Sequence, residues 1–250
     1  MTSSWPEGYS KRVLAEVGST NAEAARIAPT LAGPEWILGL KQTAGRARRG
    51  REWKAPEGNF AATLVMRPSE TPDQVALRSF VAALALFDAL DAATGRTDWL
   101  SLKWPNDVLL KGGKVAGILL ESAGLGQGVG HIAIGIGVNL IAAPRRAELE
   151  ATAMHPVSVL AETGVRIAPE DFLDLLASAY ARHEDTFRTL GFTPIRNLWL
   201  SRAARIGEVI TARTMRDEVT GTFETVDAQG NLVLKTAKAR EMIPAADIFF

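Results

Sequence analysis

The sequence predicts an α+β protein, with a larger unit over residues 1–204 that combines helices with a β-sheet and a small β-barrel over residues 205–250. Three observations lead there. Four apolar, strand-like runs follow one another between Leu100 and Leu140. Two long segments, opening at Thr71 and at Pro169, carry apolar residues at helical spacing. After Arg205 the pattern changes to five short strands. With 250 residues and 47% hydrophobic content, the chain has material for a full core and a small appendage.

In chain order, residues 13–17 read as a short strand. Thr20-Asn21-Ala22-Glu23 has the S/T-x-x-E spacing of a capping box ahead of Ala24, Ala25 and Ile27, so a helix is expected to start there with Thr20 as its cap. Residues 36–40 and Phe60–Met66 read as strands flanking the loop 42–58, which is long for a connector, and such loops are functional or disordered. Thr71 as N-cap, Pro72 at the first helical position and Gln74 at the third open the best-marked helix, which continues through Leu77, Phe80, Leu84 and Phe87 to Gly95. Residues 100–104, 108–110, 115–122 and 132–140 build a sheet, with Gly112-Gly113 as a tight hairpin between the middle two. Pro169 starts an amphipathic helix through Phe172, Leu176, Ala179 and Phe187, and Pro194 a shorter one, the helical layer ending near Ala204. The barrel strands are 208–213, 219–226, 232–235, Arg240–Ile243 and Asp247–Phe249, with a turn at 227–231.

Lysine plus arginine equals aspartate plus glutamate at 28 each, so no overall field favours nucleic acid or an anionic membrane. Without cysteine there is no disulfide, thiolate metal site or cysteine nucleophile, which fits a reducing compartment. No stretch approaches the roughly 18 apolar residues of a membrane span, and a cytoplasmic protein is expected. The histidines His131, His155 and His183 lack metal-ligand spacing, and no serine sits in a G-x-S-x-G elbow, so no resident metal site and no serine hydrolase is expected.

Three segments carry chemistry. Gly45-Arg46-Ala47-Arg48-Arg49-Gly50-Arg51 places four guanidinium groups among small residues that admit close approach of a ligand, a pattern suited to phosphate; a solvated basic loop is the plain alternative. Trp53 at its far end suits either a purine or ordinary packing. In Lys103-Trp104-Pro105-Asn106-Asp107, strand alternation puts Leu100, Leu102 and Trp104 on one face and Lys103 on the other, after which the proline ends the ladder and exposes Asn106 and Asp107. A snorkelling lysine followed by a turn accounts for the same pattern. Between His131 and Leu140, Ile132, Ile134, Ile136, Val138 and Leu140 share one face, while Ala133, Gly135, Gly137 and Asn139 leave the other nearly bare, open to a ligand or to another backbone. Gly117 repeats the theme on the neighbouring strand.

Taken in order, Ser19-Thr20-Asn21, Gln42-Thr43, GRARRGREW (45–53), KWPND (103–107), KVAGILLE (114–121) and GIGVN (135–139) resemble the biotin–protein ligase family over roughly residues 13–140, and residues 206–250 resemble its C-terminal barrel more weakly. The resemblance implies a mixed-sheet catalytic domain related to class II aminoacyl-tRNA synthetases, followed by an SH3-like barrel. It implies that Ser19, Thr20, Asn21, Gln42, Gly45, Arg46, Ala47, Arg48, Lys103 and Gly117 line a biotin site, and that Arg46, Arg48, Arg49, Arg51, Trp53, Asn106, Lys114 and Asn139 contact the nucleotide. Lys103 and Arg48 are then the catalytic pair. Ala47 replaces a glycine of the family's G-R-G-R-R-G pattern; were φ positive there, the alanine would add strain of about 1 kcal/mol.

The implied reaction joins biotin and ATP, with Mg²⁺, into biotinyl-5′-AMP and passes biotin to a lysine of a biotin carboxyl carrier domain, such as that of acetyl-CoA carboxylase. A lipoate–protein ligase on the same fold and a non-catalytic biotin-binding module are the alternatives. Octanoyl transfer through a cysteine is excluded by the absence of cysteine. Residues 1–18 are too few for a helix-turn-helix domain ahead of Ser19, so no DNA partner is expected, and monomer and homodimer both remain open.

Overall fold

The computed structural model describes residues 5–47, 50–125, 128–145, 154–214 and 217–250. The first sheet is built from β1 (Ser10–Leu14), β2 (Glu35–Gly39), β3 (Phe60–Met66), β4 (Leu100–Lys103), β5 (Asp107–Leu110), β6 (Gly113–Leu125) and β7 (Gly128–Val138), in the order β1-β2-β3-β7-β6-β5-β4. It is mixed, because β1 runs parallel to β2 while every other neighbouring pair is antiparallel. Helices α1 (Thr20–Ile27), α2 (Pro72–Ala76), α3 (Arg78–Thr94), α4 (Val159–Thr163), α5 (Pro169–Leu190) and α6 (Phe192–Ser201) flank it.

Strand periodicity distributes these helices over two faces. Trp36, Leu38, Phe60, Ala62, Leu64, Ile134 and Ile136 share a core with the apolar residues of α3 and α5. Ile37, Val65 and Ala133, one residue out of phase, pack instead with Ala24, Ile27 and Ala28 of α1. β3 is therefore buried along its whole length, and α3, pressed between the sheet and both α5 and α6, is buried almost all round. Phe80 of α3 meets Phe192 and Trp199 edge-on at 5.1 and 5.3 Å. α1 thus covers only part of its face, and the remainder of that face carries the site.

The second sheet, β8 (Val209–Arg213), β9 (Glu218–Val226), β10 (Leu232–Lys235), β11 (Arg240–Ile243) and β12 (Asp247–Phe249), is antiparallel in the order β11-β10-β9-β8-β12, so the expected barrel is a five-stranded sheet with β11 and β12 at its edges. Its β9–β10 turn is tied by Asp227 Oδ1, which accepts from the backbone of Gln229 and Asn231 at 2.9 Å each. That turn reaches the first unit: Trp104 Nε1 donates to the Gly230 carbonyl at 3.1 Å, and a Cβ on Gly230 would lie 3.0 Å from both Leu77 and Phe80.

Several expectations shift. β1 starts earlier, at Ser10, because its parallel pairing with β2 matches Ser10 to Glu35. Ser19, not Thr20, caps α1, accepting from Ala22 N at 3.4 Å, and Glu23 pairs with Arg26 instead of closing a capping box. The helix expected from Thr71 to Gly95 is two, joined at Leu77, with Gly95 closing the second in the left-handed conformation at φ 64°. The β5–β6 turn is Lys111-Gly112, both at positive φ (50° and 78°), as a two-residue hairpin turn demands. Gly113 is required for another reason: its Cβ would lie 2.4 Å from Val157. Helix α6 begins at Phe192, so Pro194 falls inside its first turn, and α4, capped by Ser158 and closed by Gly164, is an additional element.

Candidate functional site

Sheet register assembles the floor. Ala61 on β3 pairs with Gly137 on β7, Gly137 with Gly117 on β6, Gly117 with Asp107 on β5, and Asp107 with Lys103 on β4. Cross-strand partners point to the same face, so this single row runs from a bare centre to a carboxylate and a lysine. Thr63, Gly135 and Leu119 form the next row, and Val65, Ala133 and Glu121 the one after. Above lies a cavity of about 490 Å³, a size suited to a small organic ligand.

Of the two occupants open for the bare face, ligand or backbone, the structure adds a third, side chains. A Cβ on Gly135 would lie 2.2 Å from Asn21 Oδ1, and one on Gly137 only 2.3 Å from Trp53 Cε2. Any larger residue displaces Asn21 or the indole. Gly45 is required by a backbone approach, since its Cβ would lie 2.3 Å from the Trp53 carbonyl oxygen.

One end of the cavity is neutral and hydrogen-bonded. Ser19, Thr20 and Asn21 are buried at the start of α1. Thr20 donates to Gln42 Oε1 from its backbone N (3.0 Å) and its hydroxyl (3.2 Å). Thr63 Oγ1 lies 2.8 Å from Thr20 Oγ1 and 2.6 Å from Asn21 Oδ1, and Asn21 Nδ2 donates to Glu121 Oε2 at 2.7 Å. Thr20 is therefore a member of the site network and not a helix cap, which corrects the sequence reading of that residue.

The other end is charged. Lys114 Nζ pairs with Asp107 at 2.7 Å and sits 5.8 Å from the Trp53 ring. A Cβ on Gly117 would lie 3.5 Å from that Nζ, so Lys114 stands directly beside the bare floor. Lys103 leaves β4 on the cavity side, as alternation requires, and its Nζ lies 5.2 Å from the Phe250 ring. Asn106 is bound to β6, its side chain donating to the Ile118 carbonyl and its own carbonyl accepting from Ile118 N at 3.0 Å. Asn139 is 2% exposed and donates to the Val157 carbonyl at 3.0 Å, while its Oδ1 has no hydrogen-bond partner. A buried, unpaired carbonyl oxygen beside a cavity is a ready acceptor for a ligand N–H.

The arginine loop folds back on itself. Trp53 N donates to Gly45 O at 3.0 Å and Ala47 N to Arg51 O at 2.7 Å. Gly50 takes the positive φ, 72°, and Ala47 does not, so the alanine carries no left-handed strain. Arg46 Nη2 pairs with Glu121 at 3.1 Å and Arg51 Nη2 with Asp247 of β12 at 3.4 Å. Arg48 and Arg49 lie outside the described residues. Among the expected residues, Ser19, Thr20, Asn21, Gln42, Arg46, Ala47, Arg51, Trp53, Lys103, Asn106, Lys114, Gly117 and Asn139 line this one cavity.

Sequence reasoning missed Thr63, Glu121 and Asp247. Thr63 is a polar residue on a strand that is buried on both faces, and Glu121 ends a motif already singled out; those were the available signals. Asp247 gave none, because only the docking of the second sheet brings β12 to the cavity. Among the described residues no group of three His, Asp or Glu side chains is arranged to hold a metal ion, and His183 instead pairs with Asp88 at 2.7 Å.

The pattern of the biotin/lipoate A/B protein ligase family matches residues 17–139, and that of the biotin protein ligase C-terminal domain residues 206–250. A biotin–[acetyl-CoA-carboxylase] ligase from Paracoccus denitrificans is 57% identical over 238 residues, covering 95% of this chain and 99% of the relative. The bifunctional ligase/repressor BirA of Bacillus spizizenii is 33% identical over 240 residues, 93% of this chain and 71% of that protein. The structure of the Aquifex aeolicus biotin protein ligase in complex with biotin and ATP superimposes with a TM-score of 0.79 at 23% identity, covering 96% of this chain and 97% of that one, a likeness of fold. With more than half of its residues identical to a biotin ligase along nearly the whole of both chains, and with both family patterns present in order, the chain belongs to the biotin–protein ligase family.

Proposed function

We propose that the protein is an ATP-dependent biotin–protein ligase, which forms biotinyl-5′-AMP from biotin and ATP and transfers the biotinyl group to the acceptor lysine of a biotin carboxyl carrier protein. The observation that carries this reading is the cavity itself: one continuous floor, bare at Ala61, Gly117, Gly135 and Gly137, joins a neutral hydrogen-bonding end to an end bearing Lys103, Lys114 and Arg51. A molecule with an uncharged polar head and a carboxylate fits that order of surfaces. Biotin is favoured over lipoate because the relatives at 57% and 30% identity are both biotin–[acetyl-CoA-carboxylase] ligases.

In this reading the polar head of biotin meets Ser19, Thr20, Asn21 and Gln42, with Arg46, Ala47 and Gly117 around the ring and chain, while Gly45, expected to line the site, stands behind it against the Trp53 backbone and Gln42. The carboxylate oxygen attacks the α-phosphorus of ATP, an O–P bond forms, and pyrophosphate departs with the electrons of the broken bond. Two anions must approach, so Lys103, Lys114 and Arg48 serve to offset the repulsion and hold the in-line geometry. Arg46, Arg49 and Arg51 hold phosphate, Trp53 covers the base, and Asn106 and Asn139 supply polar contacts to the nucleotide. The carrier's neutral lysine amine then attacks the activated carbonyl and AMP leaves, without an enzyme nucleophile. The loop over the mixed anhydride excludes water from it.

Magnesium, when bound to ATP, neutralises phosphate charge. The nearby carboxylates fit an ion carried by the nucleotide and not a resident one, since Asp107 is paired with Lys114, Asp247 with Arg51, and Glu121 with Asn21 and Arg46. The division into a catalytic domain (1–204) and a C-terminal domain (205–250) belongs to the same proposal, as does a cytoplasmic setting with no DNA or membrane partner. Among the described residues no helix is long and apolar enough to cross a membrane.

The test is ATP–pyrophosphate isotope exchange with biotin, lipoate and octanoate in turn. Exchange dependent on biotin alone is expected. Exchange driven by lipoate, or by no acid, would contradict the proposal.

A further inference from the structure

Glu121 has no part in the chemistry above, yet two site residues converge on one of its oxygens. It lies in β6 opposite Ala133, on the face that bears Gly117 and Leu119. Its Oε2 accepts from Asn21 Nδ2 at 2.7 Å and from Arg46 Nη2 at 3.1 Å. An ionised carboxylate only accepts. It therefore admits one orientation of the Asn21 amide, with Nδ2 toward Glu121 and Oδ1 toward Thr63 Oγ1 at 2.6 Å, because the reverse would set two acceptors against each other.

That choice spreads along the network. Each hydroxyl has one proton: with Asn21 Oδ1 taking that of Thr63, the single Thr20 hydroxyl proton is shared between Thr63 Oγ1 at 2.8 Å and Gln42 Oε1 at 3.2 Å. Gln42 is oriented independently by the Thr20 backbone N–H. The donor and acceptor pattern offered to a ligand at this end is thus set by one carboxylate and one backbone group. The same carboxylate holds the first arginine of the loop over that end, at side-chain exposures of 48% for Arg46 and 40% for Glu121.

We infer that Glu121 is a positioning residue of the site: through Asn21 it fixes the polarity of the end that binds the ligand's neutral head, and through Arg46 it tethers the arginine loop. The ligand class it selects is a head group presenting donors and acceptors together, such as a cyclic urea. This rests on the biotin reading above.

The experiment compares wild type, Glu121→Gln and Glu121→Ala in ATP–pyrophosphate exchange as a function of biotin, with the rate of tryptic cleavage after Arg46 in the unliganded proteins and circular dichroism as a check on folding. Glu121→Ala, which loses both contacts, is expected to raise the half-saturating biotin concentration about 10-fold while the rate at saturating biotin stays within about 5-fold of wild type. Glu121→Gln keeps an acceptor for Asn21 but no charge for Arg46. It is expected to hold half-saturation within about 5-fold and still to speed cleavage after Arg46. A folded Glu121→Ala with wild-type half-saturation and wild-type cleavage overturns the inference, as does a fall in saturated rate at unchanged half-saturation. Absence of biotin-dependent exchange in the wild type counts against the biotin reading instead, and the cleavage comparison then tests the Arg46 tether alone.

Discussion

The two ends of the cavity are built on different principles. At the neutral end, Thr20, Asn21 and Thr63 are buried on α1 and β3 and make their hydrogen bonds to one another, to Gln42 and to Glu121. At the charged end, the groups come from a loop, from β4 and β6, and from β12 of the second sheet, and their ion pairs join partly buried partners, with side-chain exposures from 19% for Asp107 to 46% for Arg51. A buried, mutually satisfied network specifies shape and polarity at the cost of adaptability. Ion pairs that keep contact with solvent hold less tightly and exchange partners more readily. The contrast suits an enzyme that selects an acid with one end and handles a changing set of phosphates with the other.

Removing a cation from the charged end should have the largest effect. Lys103→Ala and Lys114→Ala are each expected to slow adenylate formation about 100-fold or more, with little change in the half-saturating biotin concentration. Initial-rate pyrophosphate exchange on folded variants checks this. A variant at wild-type rate removes that lysine from the reaction, and the relative losses show whether Lys114, nearer the bare floor, carries more of the charge.

At the neutral end the effect should fall on affinity. Thr20→Val preserves volume and removes the hydroxyl shared with Gln42 and Thr63, so half-saturating biotin is expected to rise about 10-fold at nearly unchanged maximal rate. A loss confined to the maximal rate would show that the two ends are not functionally separate.

The parts of the fold that depend on local pattern were legible. Phe60–Met66, Arg240–Ile243 and Asp247–Phe249 are strands with the predicted bounds, since alternation and turn residues mark them. Ser19 against Thr20, and Lys111-Gly112 against Gly112-Gly113, were off by one residue, because two polar or two glycine residues in succession offer equivalent local signals. α4 escaped for its brevity, although Ser158 and Gly164 mark both its ends. At the site, the glycine face and the side from which Lys103 leaves its strand were readable from period two. That Gly117, Asp107 and Lys103 share a row was not, because register between strands is a non-local choice. Nor was the arrival of Asp247 beside Arg51, which depends on how the second sheet docks.

Arg48→Gly is expected to weaken retention of the adenylate more than its formation, since it removes a guanidinium and adds backbone freedom. Released adenylate acylates exposed lysines, so albumin present as a bystander should be biotinylated several-fold more than with wild type. Labelling confined to the carrier would contradict that role. The smallest effect concerns the Arg51–Asp247 pair, with side-chain exposures of 46% and 24%. A double-mutant cycle on thermal stability should give a coupling of about 0.2–1 kcal/mol, shrinking as salt is added. A larger, salt-insensitive coupling would show that the charged end is as rigid as the neutral one.

Biotin transfer itself is followed by mass spectrometry of a biotin carboxyl carrier domain incubated with the protein, biotin, ATP and Mg²⁺. A ligase of this kind adds one biotinyl group to a single carrier lysine, dependent on ATP, and adds nothing when lipoate replaces biotin. An unmodified carrier, with the protein folded and biotin bound, would contradict this activity and leave a binding module in place of a ligase.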